Sequence, residues 1–210
     1  MLRTSSKSYN FPSSTNAESH MSSSRKKTVL VIVGMPGAGK SLASSVMKGR
    51  GIPVFVSGDI IRAEARRRKL KFTRKNLGDL MLKIRREEGM GAVAKRLIPL
   101  VEKVRRTVVV YEGARSIEEV QELRMKYQVV TIAIHASGSA RFKRLQRRGR
   151  SDRPRTWTDF EERDNRELAV GVGKLIALAD RTVENEDTKE DLKRRMKRLL
   201  RTVMTKKSQS

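Results

Sequence analysis

An apolar run, TVLVIV at Thr28–Val33, breaks into GMPGAGKS at Gly34–Ser41, and no other feature restricts the fold of this chain as tightly. The run reads as a strand buried on both faces. The octapeptide satisfies G-x-x-x-x-G-K-[ST], a match expected by chance in roughly one percent of chains of this length. Gly34, Gly37 and Gly39 allow turns that aim successive N–H groups at phosphate oxygens, with Met35, Pro36 and Ala38 completing the loop. A helix from about Lys40 adds the positive end of its dipole. Lys40 is placed to reach the β- and γ-phosphates, and the Ser41 hydroxyl to ligate Mg²⁺. ATP with Mg²⁺ is therefore the expected cofactor. A guanine-specific switch is disfavoured, because no Asn-Lys-x-Asp element follows the fourth predicted strand.

The rest of the chain repeats the alternation of strand and helix. IPVFVS, TVVVYEG at Thr107–Gly113, VVTIAIHA at Val129–Ala136 and DRTVEN at Asp180–Asn185 read as four more strands. With the phosphate loop, this predicts an α/β fold of the P-loop NTPase type: a three-layer sandwich around a five-stranded parallel sheet. The stretch between the second and third strands is too long for a simple crossover. It carries three helical patterns, Asp59–Lys69, Asn76–Glu88 and Gly91–Val104, and is expected to form an inserted acceptor-binding subdomain over about 59–106. A last helix, Lys189 to about Met204, puts Leu192, Met196, Leu199, Leu200 and Val203 on one stripe. Residues 1–27, rich in Ser and Asn, read as a disordered tail or as the consequence of a start at Met21. The folded domain is expected over 28–205, with a short tail at 206–210.

Charge and composition narrow the function. The net charge is +25 and the pI about 11.1, which suits either basic surfaces on a soluble protein or a polyanionic partner. RRRKLKFTRK at Arg66–Lys75 motivates an alternative reading, an ATP-dependent NTPase associated with nucleic acid or ribonucleoprotein. Aromatic residues make up only 4%, so base-stacking platforms are sparse. There is no cysteine, and His20 and His135 are the only histidines, which argues against Cys- or His-based metal sites. With no apolar run of membrane-span length and no secretory h-region, a cytoplasmic location without membrane contact is expected. Composition does not fix an oligomeric state.

Candidate acceptor and catalytic residues follow the strand ends. In VSGDIIR, Asp59 sits where the second strand feeds a helix, with Arg62 on the same helical side. Ser57, Gly58, Asp59 and Arg62 are expected to bind the acceptor at the carboxyl edge of the sheet. At the end of the third strand, Glu112 is placed to orient Mg²⁺ from its second shell or to touch the acceptor, and Arg115 to clamp a phosphoryl group. Ser116 with Glu119 reads as a capping box. The segment Arg141–Glu167, broken by Gly149 and Pro154, reads as an arginine-rich lid over about 147–167. Arg147, Arg150 and Arg153 are its expected catalytic arginines, beside Lys40, Asp59 and Arg115; Arg163 and Arg166 are expected to add to the clamp. Trp157 is expected to anchor the return of the lid, and His135 to be structural.

Together, the phosphate loop, SGDIIR, EGARS and the arginine lid resemble P-loop nucleoside-monophosphate kinases, with similarity to adenylate kinases and dephospho-CoA kinases. AVAKR, HASGSARFKRLQRRGRSD, TWTDFEERDNREL and IALAD together are similar to the archaeal family designated UPF0200, from Thr28 to about Met204. The resemblance implies the fold of these kinases and ATP binding through Gly34–Ser41. It also implies that Asn185, in VENEDTKEDL, lies near the adenine. The sequence departs from the family pattern at Glu112, where an Asp is expected, and at Lys174. The activity expected is transfer of the γ-phosphate of ATP to a nucleotide-type acceptor, a nucleoside monophosphate or dephospho-CoA.

Overall fold

The structure, a computed structural model, describes residues 26–148 and 153–206. The phosphate-loop strand is β1, Thr28–Val33, and it lies at the centre of a five-stranded parallel sheet. Around it run β2 (Val54–Val56), β3 (Val108–Glu112), β4 (Gln128–His135) and β5 (Arg181–Glu184), in the spatial order β2-β3-β1-β4-β5. The helices are α1 (Lys40–Lys48), α2 (Ser57–Arg67), α3 (Arg74–Glu88), α4 (Ala92–Glu102), α5 (Ile117–Arg124), α6 (Gly138–Arg147), α7 (Trp157–Val170), α8 (Val172–Ala177) and α9 (Lys189–Lys206). The fold is the α/β P-loop sandwich that the alternation predicts.

Side-chain alternation along β1 builds both cores. Val29, Val31 and Val33 face a layer containing Ile61 of α2, Ile84 of α3, Leu97 of α4 and Leu123 of α5. Leu30 and Ile32 face the other layer, where Met47 of α1 meets Leu192, Met196 and Leu200 of α9. Register sets the functional edge. Ile32 pairs with Glu112 on one side and with Ile132 on the other, so the carboxyl ends of β1, β3 and β4 finish together.

Element bounds differ from the sequence reading at two instructive points. Ser57 is not a strand residue; it opens the first turn of α2, and β2 shortens to three residues. At the other edge, Lys27 is tied to the fold: its Nζ donates to the carbonyls of Val101 (2.7 Å), Glu102 (3.2 Å) and Val104, at the C-terminal end of α4. A cation there satisfies orphan carbonyls and the negative end of the helix dipole. Residues 1–25 and 207–210, where the remaining tail readings fall, lie outside the described residues. Among the described residues, no helix is long and apolar enough to cross a membrane.

Leu97 is fully buried where α4 packs into the first core. Leu97→Ala should cost about 2–5 kcal/mol of stability. Urea unfolding checks this as a lowered midpoint with an unchanged slope.

Candidate functional site

The phosphate loop lies against three separate segments, and its glycines mark the contacts. A Cβ at Gly34 would collide with the Ile134 carbonyl at the end of β4, and one at Gly37 would stand 2.8 Å from the Arg141 carbonyl of α6. At Gly39 it would strike the Asn185 side chain, and the backbone there has φ +111°, which disfavours any other residue. Asn185 is buried behind the loop: its Nδ2 donates to the Ala38 carbonyl (2.7 Å), and its backbone N–H to His135 (2.7 Å). The Asn185 amide N–H is thus engaged in holding the loop. His135 contributes here through its backbone carbonyl alone.

Lys40 folds back over the loop and donates to the carbonyls of Gly34 (2.7 Å) and Met35 (3.1 Å). Burial pushes its ammonium down to about 8; Arg115 and Arg148 push the same way, while Glu167 and Glu112 oppose them. The Ser41 hydroxyl donates to Glu112 Oε1 at 2.9 Å, joining the start of α1 to the end of β3. This oxygen pair fits Mg²⁺ chemistry. Among the described residues no cluster of three or more His, Cys, Asp or Glu side chains forms a metal cage.

On the acceptor side, Asp59 and Arg62 form an exposed ion pair at the first turn of α2. Gly58 lies against the Arg62 guanidinium, and the Ser57 side chain is buried. Arg115, just past β3, is held by Glu167 of α7 through two hydrogen bonds, Nε to Oε2 (2.6 Å) and Nη2 to Oε1 (3.2 Å); its Nη1 rests on Met81 Sδ (3.2 Å). Burial opposes ionisation of Glu167, but Arg115, Lys40 and Arg163 hold its carboxyl below the usual range. Arg115 thus joins α3, the end of β3 and α7.

The lid arginines separate. Arg147 and Arg153 are exposed at the two ends of the segment, and Arg150 lies outside the described residues. Arg153, Arg163 and Arg166 share a cavity of about 220 Å³ with Arg155, Asp159 and Glu162. The arginine that touches the phosphate loop is Arg141, which the sequence reading did not single out. It donates to the Pro36 carbonyl (3.3 Å), grips Asp164 with two bonds (2.8 and 2.6 Å) and stacks over Phe160 at 4.8 Å. Trp157 packs on Phe142 and Phe160 at the start of α7.

Two further groups escaped the sequence. Arg144 donates to the Asn185 carbonyl at 2.6 Å. Arg85 of α3 donates to Glu119 (2.7 Å), which also accepts from the Tyr111 hydroxyl, all three buried. The capping box read at Ser116–Glu119 is therefore half formed. Ser116 Oγ accepts from the Glu119 N–H (3.4 Å), but the Glu119 carboxylate turns inward to Arg85 because a buried guanidinium needs a counter-charge. The spacing of Asp164 and Glu167 on α7 was the signal available for their shared face.

With this geometry in place, comparison with known proteins decides the family. A UPF0200 protein of Hyperthermus butylicus is 42% identical over 174 residues, 83% of this chain and 94% of that one. The chain belongs to the UPF0200 family. A family model described as an AAA domain matches residues 33–161. In fold, the UPF0200 chain is similar to TT1252 of Thermus thermophilus (TM-score 0.65, 18% identity, 85% and 98% of the two chains covered). A shikimate kinase of Bacteroides thetaiotaomicron also shares the fold (TM-score 0.56, 15% identity, 83% and 98% covered). The fold is that of kinase-like P-loop proteins.

Two substitutions test the loop. Gly39→Ala should lose nucleotide binding, read by calorimetry, and lower the melting temperature through strain. Lys40→Met should stabilise the nucleotide-free protein by up to about 3 kcal/mol at pH 7, since it removes a charge that folding desolvates. The sign follows from the ammonium titrating near 8 when folded and near 10.5 when unfolded. The unfolded chain holds the extra proton between those values, so the penalty is complete below 8 and fades above it. Denaturation of both proteins across that range should show the advantage shrinking.

Proposed function

We propose that this protein transfers the γ-phosphoryl group of ATP to a small-molecule acceptor of nucleotide type, a nucleoside monophosphate or dephospho-CoA. The observation that carries the reading is the meeting of Lys40, the Ser41–Glu112 pair and the Arg115–Glu167 pair at one carboxyl edge of the sheet. A pure switch has no need of a second charged half opposite its phosphate loop. The kinase-like fold, shared with a shikimate kinase, agrees with this.

The roles follow from placement. The loop N–H groups and Lys40 hold the triphosphate of ATP. Ser41 would ligate Mg²⁺ and Glu112 would orient its waters, the ion neutralising charge on the phosphates. The acceptor sits between α2, α3 and the sheet edge, beside Ser57, Gly58, Asp59, Arg62 and Arg115. Arg147, Arg150 and Arg153 supply positive charge from the lid. Transfer is in line, and catalysis comes mainly from positioning and charge stabilisation.

The alternative, an ATP-dependent partner of nucleic acid, draws on the net charge of +25 and on the run Arg66–Lys75. In that run Arg67 and Arg68 already pair with Glu64, and on α9 Lys193 pairs with Glu190, Arg194 with Asp191 and Arg195 with Asp187. That weakens the electrostatic case and favours transfer.

Purified protein with ATP, Mg²⁺ and a panel of nucleoside monophosphates and dephospho-CoA should form ADP only when an acceptor is present. Lys40→Ala should abolish this with an unchanged circular dichroism spectrum. Glu112→Gln should lower turnover by roughly ten- to a hundredfold and raise the Mg²⁺ requirement. Acceptor-independent ADP formation would refute the reading.

A further inference from the structure

We infer that the acceptor presents a hydroxyl, not a phosphate, to the transferred phosphoryl group, and that Glu167, by holding Arg115, sets this preference. The inference rests on the phosphotransferase reading above and narrows its substrate class.

The argument is one of charge. A phosphate acceptor enters as a dianion and needs guanidinium groups that are not already neutralised. Among the described residues, Arg62, Arg85 and Arg115 lie on the acceptor side, and each holds a carboxylate: Arg62 with Asp59, Arg85 with Glu119, and Arg115 with Glu167. The first pair is exposed and opens at little cost. The other two do not. Arg85 and Glu119 are buried, and breaking them strands a charge inside the protein. Arg115 uses all three of its nitrogens, two on Glu167 and one on Met81. Glu167 stays ionised beside Lys40, so the place a second phosphate would occupy already holds a fixed anion. Arg163 and Arg166 line a different cavity, shared with Asp159 and Glu162.

A hydroxyl acceptor meets none of these obstacles. It adds no charge, and it needs a proton acceptor, which the carboxylates supply. The hydroxyl oxygen of the acceptor forms the new bond to Pγ while the bond from Pγ to the β,γ-bridging oxygen breaks. ADP leaves with that electron pair, and the hydroxyl proton passes to the Asp59 carboxylate. Glu167 touches neither reactant in this step; it keeps Arg115 turned away from a competing acceptor phosphate.

The test has two arms. In the first, wild-type protein, ATP and Mg²⁺ are incubated separately with nucleoside monophosphates and with hydroxyl compounds, dephospho-CoA and nucleosides among them, and products are read by ³¹P NMR. A new phosphomonoester is expected; coupled phosphoanhydride signals from a monophosphate would overturn the inference and leave the phosphotransferase reading intact. ADP formation with neither set would defeat that reading. In the second arm, orthophosphate is titrated calorimetrically into protein whose phosphate loop is occupied by a non-hydrolysable ATP analogue. Glu167→Gln, which frees Arg115, should bind orthophosphate roughly tenfold more tightly than wild type. Glu167→Asp, which keeps the charge, should stay near wild type. A merely structural residue would not yield a gain in anion affinity, and unchanged affinity in a folded Glu167→Gln protein would refute its role. If that variant does not fold, the product class in the first arm decides.

Discussion

Close backbone contact at the phosphate loop is the constraint on which the remaining site geometry depends. With no side chain at positions 34, 37 and 39, the loop settles against the end of β4, the first turn of α6 and the Asn185 side chain beyond β5. These segments are far apart in sequence, and the loop is where they converge. The Asn185 amide then fills what would otherwise be an unpaired carbonyl at Ala38, a group costly to leave buried without a partner. The same contacts fix the direction of α1, and so place Ser41 within hydrogen-bonding distance of Glu112 across the β1–β3 register.

Charge is handled at the site by pairing. A basic chain with a phosphate site risks a cluster of cations that repel one another before ligand arrives. Here Arg115, Arg141 and Arg85 are each given a carboxylate in the fold. Lys40 is the exception. It donates to carbonyls, and burial lowers its proton affinity although Glu167 and Glu112 pull the other way. Bonding to carbonyls separates Lys40 from the three carboxylate-paired arginines.

That distinction explains what was legible in the sequence. The phosphate loop and the five strands were readable because glycine spacing and β-branched runs are local signals. The pairing of Asp59 with Arg62 was readable for the same reason, being three residues apart on one helix. Arg141 with Asp164 and Arg115 with Glu167 span 23 and 52 residues, and nothing local marks them among so many arginines. Glu119 shows the converse. Its position fits a capping box, but tertiary burial of Arg85 outbids the local hydrogen bond. Lys27, just before the first strand, was assigned to a tail because only its distant partner, the end of α4, gives it a role.

One helix connects the two halves of the site. Phe160, Asp164 and Glu167 are spaced i, i+4 and i+7, so α7 turns a single face toward the sheet edge. Phe160 and Asp164 hold Arg141, which leans on the phosphate loop; Glu167, a turn further, holds Arg115 on the acceptor side. The two bidentate pairs are less than 5 Å apart along the axis by helix geometry, at about 1.5 Å of rise per residue. One helix gripping both arginines ties the position of the phosphate loop to that of Arg115 at the end of β3.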